Sequence, residues 1–159
     1  MLAEGAPWWA RLRALGLDLP PVPAPVAAYV PALCCGSLIL VSGQLPLVAG
    51  QLAHRGRVGQ DLGVEEGQAA ARLCALNALA AACGVVPQDC ALAGVARVEG
   101  FVQCGPEFHD QARVCNGASE LFGALFPGAG HARLAIGCSA LPLDAAVEIA
   151  VTFLLAGRL

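Results

Sequence analysis

The spacing of apolar and polar positions changes period several times along the chain, and each change marks an element. Residues 64–83 open with Val64-Glu65-Glu66-Gly67 and continue as Ala, Leu and Cys with one Asn and one Arg. Acidic residues suit a helix N-terminus, so this run predicts a long helix. Apolar residues surround most of it, which calls for packing on more than one neighbour, and its alanines allow close approach. A second helix is expected over about 110–126, closed by Pro127-Gly128. A short one is expected at 7–16, with Pro7 in its first turn and Gly16 at its end.

Between these lie strand patterns. Tyr29–Cys34 and Ser37–Ser42 read as a hairpin broken at Cys35-Gly36. Leu38-Ile39-Leu40-Val41 is a continuous apolar run, as expected of a strand covered on both faces. The Gly-rich stretch 43–63 leaves room for one short strand near 51–54. Strands are expected at about 93–104, 131–140 and 145–155, the last two joined by Leu141-Pro142-Leu143-Asp144. Residues 18–28 are Pro-rich and read as an extended arm. The order is β-β-β-α-β-α-β-β after a short N-terminal helix. It predicts an α+β fold with two helices packed on one face of a mixed sheet. Residues 1–25 form an added N-terminal helix and arm, and 26–159 a single domain.

Composition sharpens this picture. Of 159 residues, 57% are hydrophobic and only 13% charged, about half the usual share of roughly 25%. That excludes charge-driven disorder. A small chain with so few charges must leave much of its surface apolar unless part of it is buried between subunits, so a homo-oligomer is expected. Net charge is -3 and every cationic side chain is Arg, which argues against a nucleic-acid partner. The stretch between Asp18 and Arg55 carries no charge, but Pro20, Pro21, Pro23, Pro25, Pro31 and Pro46 interrupt it, so it predicts no membrane span. The start, Met-Leu-Ala-Glu-Gly, lacks a basic region before an apolar one, and a cytoplasmic location is expected. The eight cysteines show no CxxC spacing and read as small buried hydrophobes. Cys104, His109 and Cys115 match no zinc spacing, and no metal is expected.

Candidate chemistry is sparse: there is no P-loop, GxGxxG, HExxH or GxSxG. Arg133 and Glu148 each lie in an apolar strand, where a buried charge is costly unless paired. Either both face solvent on alternating strands, or Arg133 clamps a carboxylate through its planar fork with a carboxylate nearby. Ser42-Gly43-Gln44 is a turn or the head of a binding loop. Asn116-Gly117 is a helix kink, a cap or part of a site. His54, His109 and His131 are scattered without partner spacing.

The pieces taken in order resemble a known family. They are Val41-Ser42-Gly43-Gln44-Leu45-Pro46-Leu47, Gln68 with Leu76-Asn77, Arg97-Val98-Glu99-Gly100-Phe101-Val102, Asn116, Ala132-Arg133, Leu141-Pro142 and Val147-Glu148-Ile149. Over about 26–155 the chain resembles an extended subgroup of the RidA/YjgF family, the reactive-intermediate deaminases. The resemblance implies a chorismate-mutase-like fold and a homotrimer with sheets facing inward and sites in the clefts between subunits. It implies hydrolysis of 2-imino or 2-enamino acids to a 2-oxo acid and ammonia, without cofactor or metal. By position, Arg133 matches the Arg that holds the substrate carboxylate, and Glu148 the Glu beside the attacking water. Tyr29, Ser42 with Gly43, and Asn116 match positions lining the pocket. The alternative within the family is a trimer that binds a small carboxylate without turning it over. A ribonuclease reading, carried by some family names, fits poorly with an acidic chain.

Overall fold

The computed structural model describes residues 6–22 and 28–157. Residues 23–27 of the expected Pro-rich arm at 18–28, and with them the expected boundary at 25/26, lie outside the described residues. Helix α1 spans Trp8–Ala14. A hairpin follows, β1 (Ala32–Cys35) and β2 (Leu38–Gln44), turning at Gly36, whose φ of +59° suits a residue without Cβ. The expected single strand near 51–54 is a two-strand ribbon instead, β3 (Leu47–Val48) with β4 (Gln51–Leu52). Its residues are too few to have shown a period. Then come α2 (Val64–Cys83), β5 (Cys90–Gln103), α3 (Gln111–Leu125), β6 (Ala132–Cys138) and β7 (Val147–Gly157).

The main sheet has the order β1-β2-β7-β5-β6. β5 and β6 run parallel, linked through α3, and the other neighbours are antiparallel. This is the mixed α+β sheet that the element order predicts. Helices α2 and α3 cover one face, burying Ile39, Val41, Val98, Val102, Val147, Ile149, Val151 and Phe153. The register of α2 is fixed at its start, where Glu66 Oε2 accepts the Gly63 N–H at 2.8 Å. Where α2 meets α3, Gly117 has no room for a side chain, because a Cβ there would strike the Gln68 backbone carbonyl. Asn77, buried on α2, donates from Nδ2 to the carbonyls of Leu45 (2.9 Å) and Leu47 (3.1 Å) and so ties the loop after β2 to the helix. Helix α1 docks on the end of α3, with Trp8 and Phe126 ring centroids 6.4 Å apart.

The opposite face of the sheet is bare. Leu33, Leu40, Ile136 and Leu154 are 55%, 42%, 41% and 39% exposed. The β2 run 38–41 is therefore covered on one face within the chain, not on both. Arg97 and Glu99 of β5 pair on this face at 3.0 Å, and Glu148 of β7 lies on it beside Phe101. Among the described residues no helix is long and apolar enough to cross a membrane.

Candidate active site

Arg133 lies on edge strand β6, opposite Val98 of β5 in the parallel register. Val98 is buried under the helices, so Arg133 projects to the same side and meets α3. Its Nη1 donates to Asn116 Oδ1 at 2.8 Å and to Ser119 Oγ at 3.1 Å. Among the described residues it has no carboxylate partner. The side chain is exposed, so the solvent reading holds for its environment, yet two hydrogen bonds fix its direction. Both of these bonds leave from Nη1, and among the described residues the rest of the guanidinium has no carboxylate beside it. Asn116, one turn of α3 from Ser119, lies inside the helix and holds Arg133 through its amide oxygen.

His131 stands just before β6, on the same side as Arg133. Its Nε2 lies 2.9 Å from Ser119 Oγ. Burial lowers the basicity of the imidazole, and the neighbouring Arg133 charge lowers it further. Ser119 Oγ accepts from Arg133, and an Nε2 without a proton takes the Ser119 hydroxyl proton, whereas a protonated Nε2 donates to Ser119. The sequence reading missed both Ser119 and His131. The signal was there: Asn116 and Ser119 are three apart on a helix, and His131 and Arg133 two apart on a strand, so each pair shares a face.

Glu148 lies on β7 between Val147 and Ile149, which are both fully buried under the helices. Alternation sends its side chain to the bare face, beside Phe101 of β5. A β-bulge makes space for it. Val41 pairs with Val151 and Gln44 with Ile149, so Ser42 and Gly43 together face one residue, Ala150. The Glu148 carboxyl occupies the position that a Cβ on Gly43 would take. Half burial raises its pKa above the ordinary carboxylate value.

Ser42 and Tyr29 have different tasks. The Ser42 hydroxyl donates to the Val30 carbonyl at 2.8 Å, and its N–H to the Pro31 carbonyl at 3.0 Å. Ser42 therefore anchors the segment carrying Tyr29, which is 41% exposed. Gln44, buried, donates from Nε2 to the Ser42 carbonyl at 3.0 Å and holds the bulge in shape. Buried Gln103 clamps the turn leading into β7. It donates to Asp144 Oδ1 at 2.6 Å and accepts the Leu141 N–H at 2.7 Å. Leu143 and Asp144 in that turn have φ of +58° and +64°, a conformation L-residues adopt only when their surroundings enforce it.

The residues therefore form two half-sites. Arg133, Asn116, Ser119 and His131 lie on the helix side at the β6 edge. Glu148, Gly43, Ser42 and Tyr29 lie toward β2 and the bare face, with strand β5 between the halves. One chain does not bring Arg133 to Glu148. The Cys104, His109 and Cys115 set is also divided. Cys104 and His109 line a hollow of about 380 Å³ with Cys138, whereas Cys115 is buried on α3 against Gly100. Burial pushes the Cys115 thiol up to about 11, against the opposing pull of Arg133. Among the described residues no cluster of three or more His, Cys, Asp or Glu is arranged to hold a metal ion.

Residues 9–156 match the family model described as "YjgF/chorismate_mutase-like, putative endoribonuclease". The chain belongs to the RidA/YjgF family. A protein of unknown function from Agrobacterium tumefaciens is 40% identical, with a TM-score of 0.81 over 94% of this chain and 93% of that one. Protein TCP17 of Trypanosoma cruzi is 40% identical over 142 residues, 88% of this chain and 89% of its own. The RidA structure from an Antarctic Psychrobacter is more distant, at 25% identity and a TM-score of 0.56, over 86% of this chain and 94% of that one. In this RidA/YjgF member the family model begins inside α1 and ends in β7, so it takes in both half-sites.

Proposed function

We propose that the protein is a hydrolytic deaminase of small 2-imino and 2-enamino acids, releasing a 2-oxo acid and ammonia. The observation that carries this reading is Arg133, an exposed guanidinium held by two neutral acceptors and lacking a carboxylate partner among the described residues. A planar fork with one free edge suits a carboxylate bound through both oxygens. Fixing that carboxylate fixes the adjacent imine carbon, which is electrophilic enough to need little further activation. Glu148, in its ionised form, orders a water and accepts its proton as the C–O bond forms. The nitrogen takes up both protons of that water, the first by way of Glu148 and the second as the carbinol O–H opens to C=O, and the C–N bond breaks to release ammonia. Each role falls to a side chain of the protein itself.

The two half-sites meet across subunits in this reading. Three copies close the bare apolar faces against one another and set Arg133 of one subunit toward the Glu148 half of the next. Sedimentation equilibrium is expected to give three times the mass of one 16.1 kDa chain. A monomer at micromolar concentration would remove this part of the proposal.

Activity is tested on 2-iminopropanoate and 2-iminobutanoate generated in place by a dehydratase. Added protein is expected to shorten their lifetimes and speed ammonia release in step. Saturable binding of 2-oxo acids without faster decay would support the non-catalytic alternative instead. Gly43→Ala gives a sharper test of the bulge. The new Cβ displaces the Glu148 carboxyl, which is the flexible end of its side chain, so the fold survives while the base moves. A displacement of about 1 Å is expected to slow turnover roughly 10²-fold with little change in melting temperature. Unchanged turnover in this variant would remove Glu148 from the mechanism.

A further inference from the structure

Ser119 and His131 are not needed to bind a carboxylate, yet they are built into the hydrogen bonding of the group that binds it. We propose that they are positioning residues for Arg133 and make its binding of a small 2-oxo or 2-imino carboxylate proton-linked. The inference rests on the carboxylate-clamp reading above and adds to it a control on affinity.

The geometry is a chain of three groups. His131 Nε2 is 2.9 Å from Ser119 Oγ, and Ser119 Oγ is 3.1 Å from Arg133 Nη1. Ser119 Oγ accepts from Arg133, which leaves its single proton for a His131 Nε2 that carries none. With a neutral ring it donates to His131 and turns its lone pairs to Arg133. With a protonated ring it accepts from both, and two cations share one oxygen. An anion bound on the free edge of Arg133 offsets that repulsion. Carboxylate binding and His131 protonation therefore favour each other, and each must shift the other by the same factor.

The surroundings leave Arg133 as the charge that acts on His131. On α3, Cys115 stays a neutral thiol below pH about 11, and Glu120 beside Ser119 is exposed to solvent. On β5, Arg97 is paired with Glu99 on the far side of the sheet. The imidazole is held below its ordinary 6.5 by burial first and Arg133 second. Affinity is thus greatest where His131 is protonated, and it weakens as pH rises through the midpoint of the liganded form.

The test follows the His131 ring by NMR, assigned with His131→Gln, and measures 2-oxobutanoate binding by calorimetry at pH 5.5 and 7.5. In ligand-free protein, Arg133→Ala is expected to raise the His131 midpoint. In the wild type, 2-oxobutanoate is expected to raise it too, and a rise of about one unit weakens binding about tenfold across the titration. His131→Gln is expected to flatten this dependence, and Glu148→Gln to retain it. Ser119→Ala is expected to weaken binding and uncouple the ring from the ligand, with Ser119→Thr restoring both. A His131 midpoint indifferent to Arg133→Ala overturns the proposal. Wild-type binding of equal strength at both pH values overturns it while leaving the carboxylate clamp standing. Absence of binding at either pH removes the clamp reading along with it.

Discussion

Arg133→Ala is expected to lose about 10²–10³-fold in turnover of 2-iminobutanoate at subsaturating substrate, the equivalent of roughly 3–4 kcal/mol for two charge-assisted hydrogen bonds to a carboxylate. Both binding and orientation depend on the fork, so KM is expected to rise and kcat to fall. Arg133→Lys is expected to recover little, because a point charge cannot span both oxygens. The fold should tolerate either change, since the side chain is exposed and its protein partners are Asn116 and Ser119 of α3. Unchanged sedimentation mass, read beside the kinetics, separates lost chemistry from lost assembly. Acceleration that persists at the wild-type rate in Arg133→Ala would keep an enzyme and discard this site.

Glu148→Gln keeps the shape of the side chain and removes the base. A loss of about 10²–10³ in kcat with little change in KM is expected, the usual contribution of a positioned general base. The pH profile gives an independent reading. Half burial raises the Glu148 pKa above its ordinary 4.5, and only the ionised form can accept the proton of water. In the wild type the acid limb of kcat/KM should therefore fall off at a pH above 4.5, and in Glu148→Gln that limb should vanish. The sign for stability is opposite to that of a salt-bridged carboxylate. A raised pKa means that the folded chain binds the proton more tightly than the unfolded chain. Whatever stability Glu148 contributes is present at low pH and lost as pH rises through its folded pKa. Glu148→Gln should accordingly be no less stable than the wild type at neutral pH in thermal denaturation. An acid limb unchanged in Glu148→Gln would assign the titration to another group.

Legibility from the sequence followed the length of the signal. Helix α2 was readable nearly from end to end, because its acidic first turn and its long Ala-rich run are local signals that tertiary packing did not override. Strands β5 and β7 were readable to within a few residues, because each carries several alternations. The β3–β4 ribbon was not, since two residues per strand show no period. Cys115 and Asn116 stand side by side in sequence and on the same helix, yet one is buried against Gly100 and the other holds Arg133. Ser42 looked like a pocket residue by position, and its hydroxyl is committed to the Val30 carbonyl.

By itself the sequence determined the order of the helices and the longer strands and the sheet with two helices on one face, while the family was read from the resemblance of motifs kept in order. These depend on local periodicity and on turns, which are properties of neighbouring residues. Tertiary structure alone decided which groups share a site. Arg133 meets Asn116 and Ser119 because the β5–β6 register carries the β6 edge under α3, and Glu148 finds space because Gly43 in the bulge has no side chain. It also decided that Arg133 and Glu148 stay apart within one chain. Strand alternation sends them to opposite sides of the sheet with β5 between, and no spacing along a single chain encodes that separation.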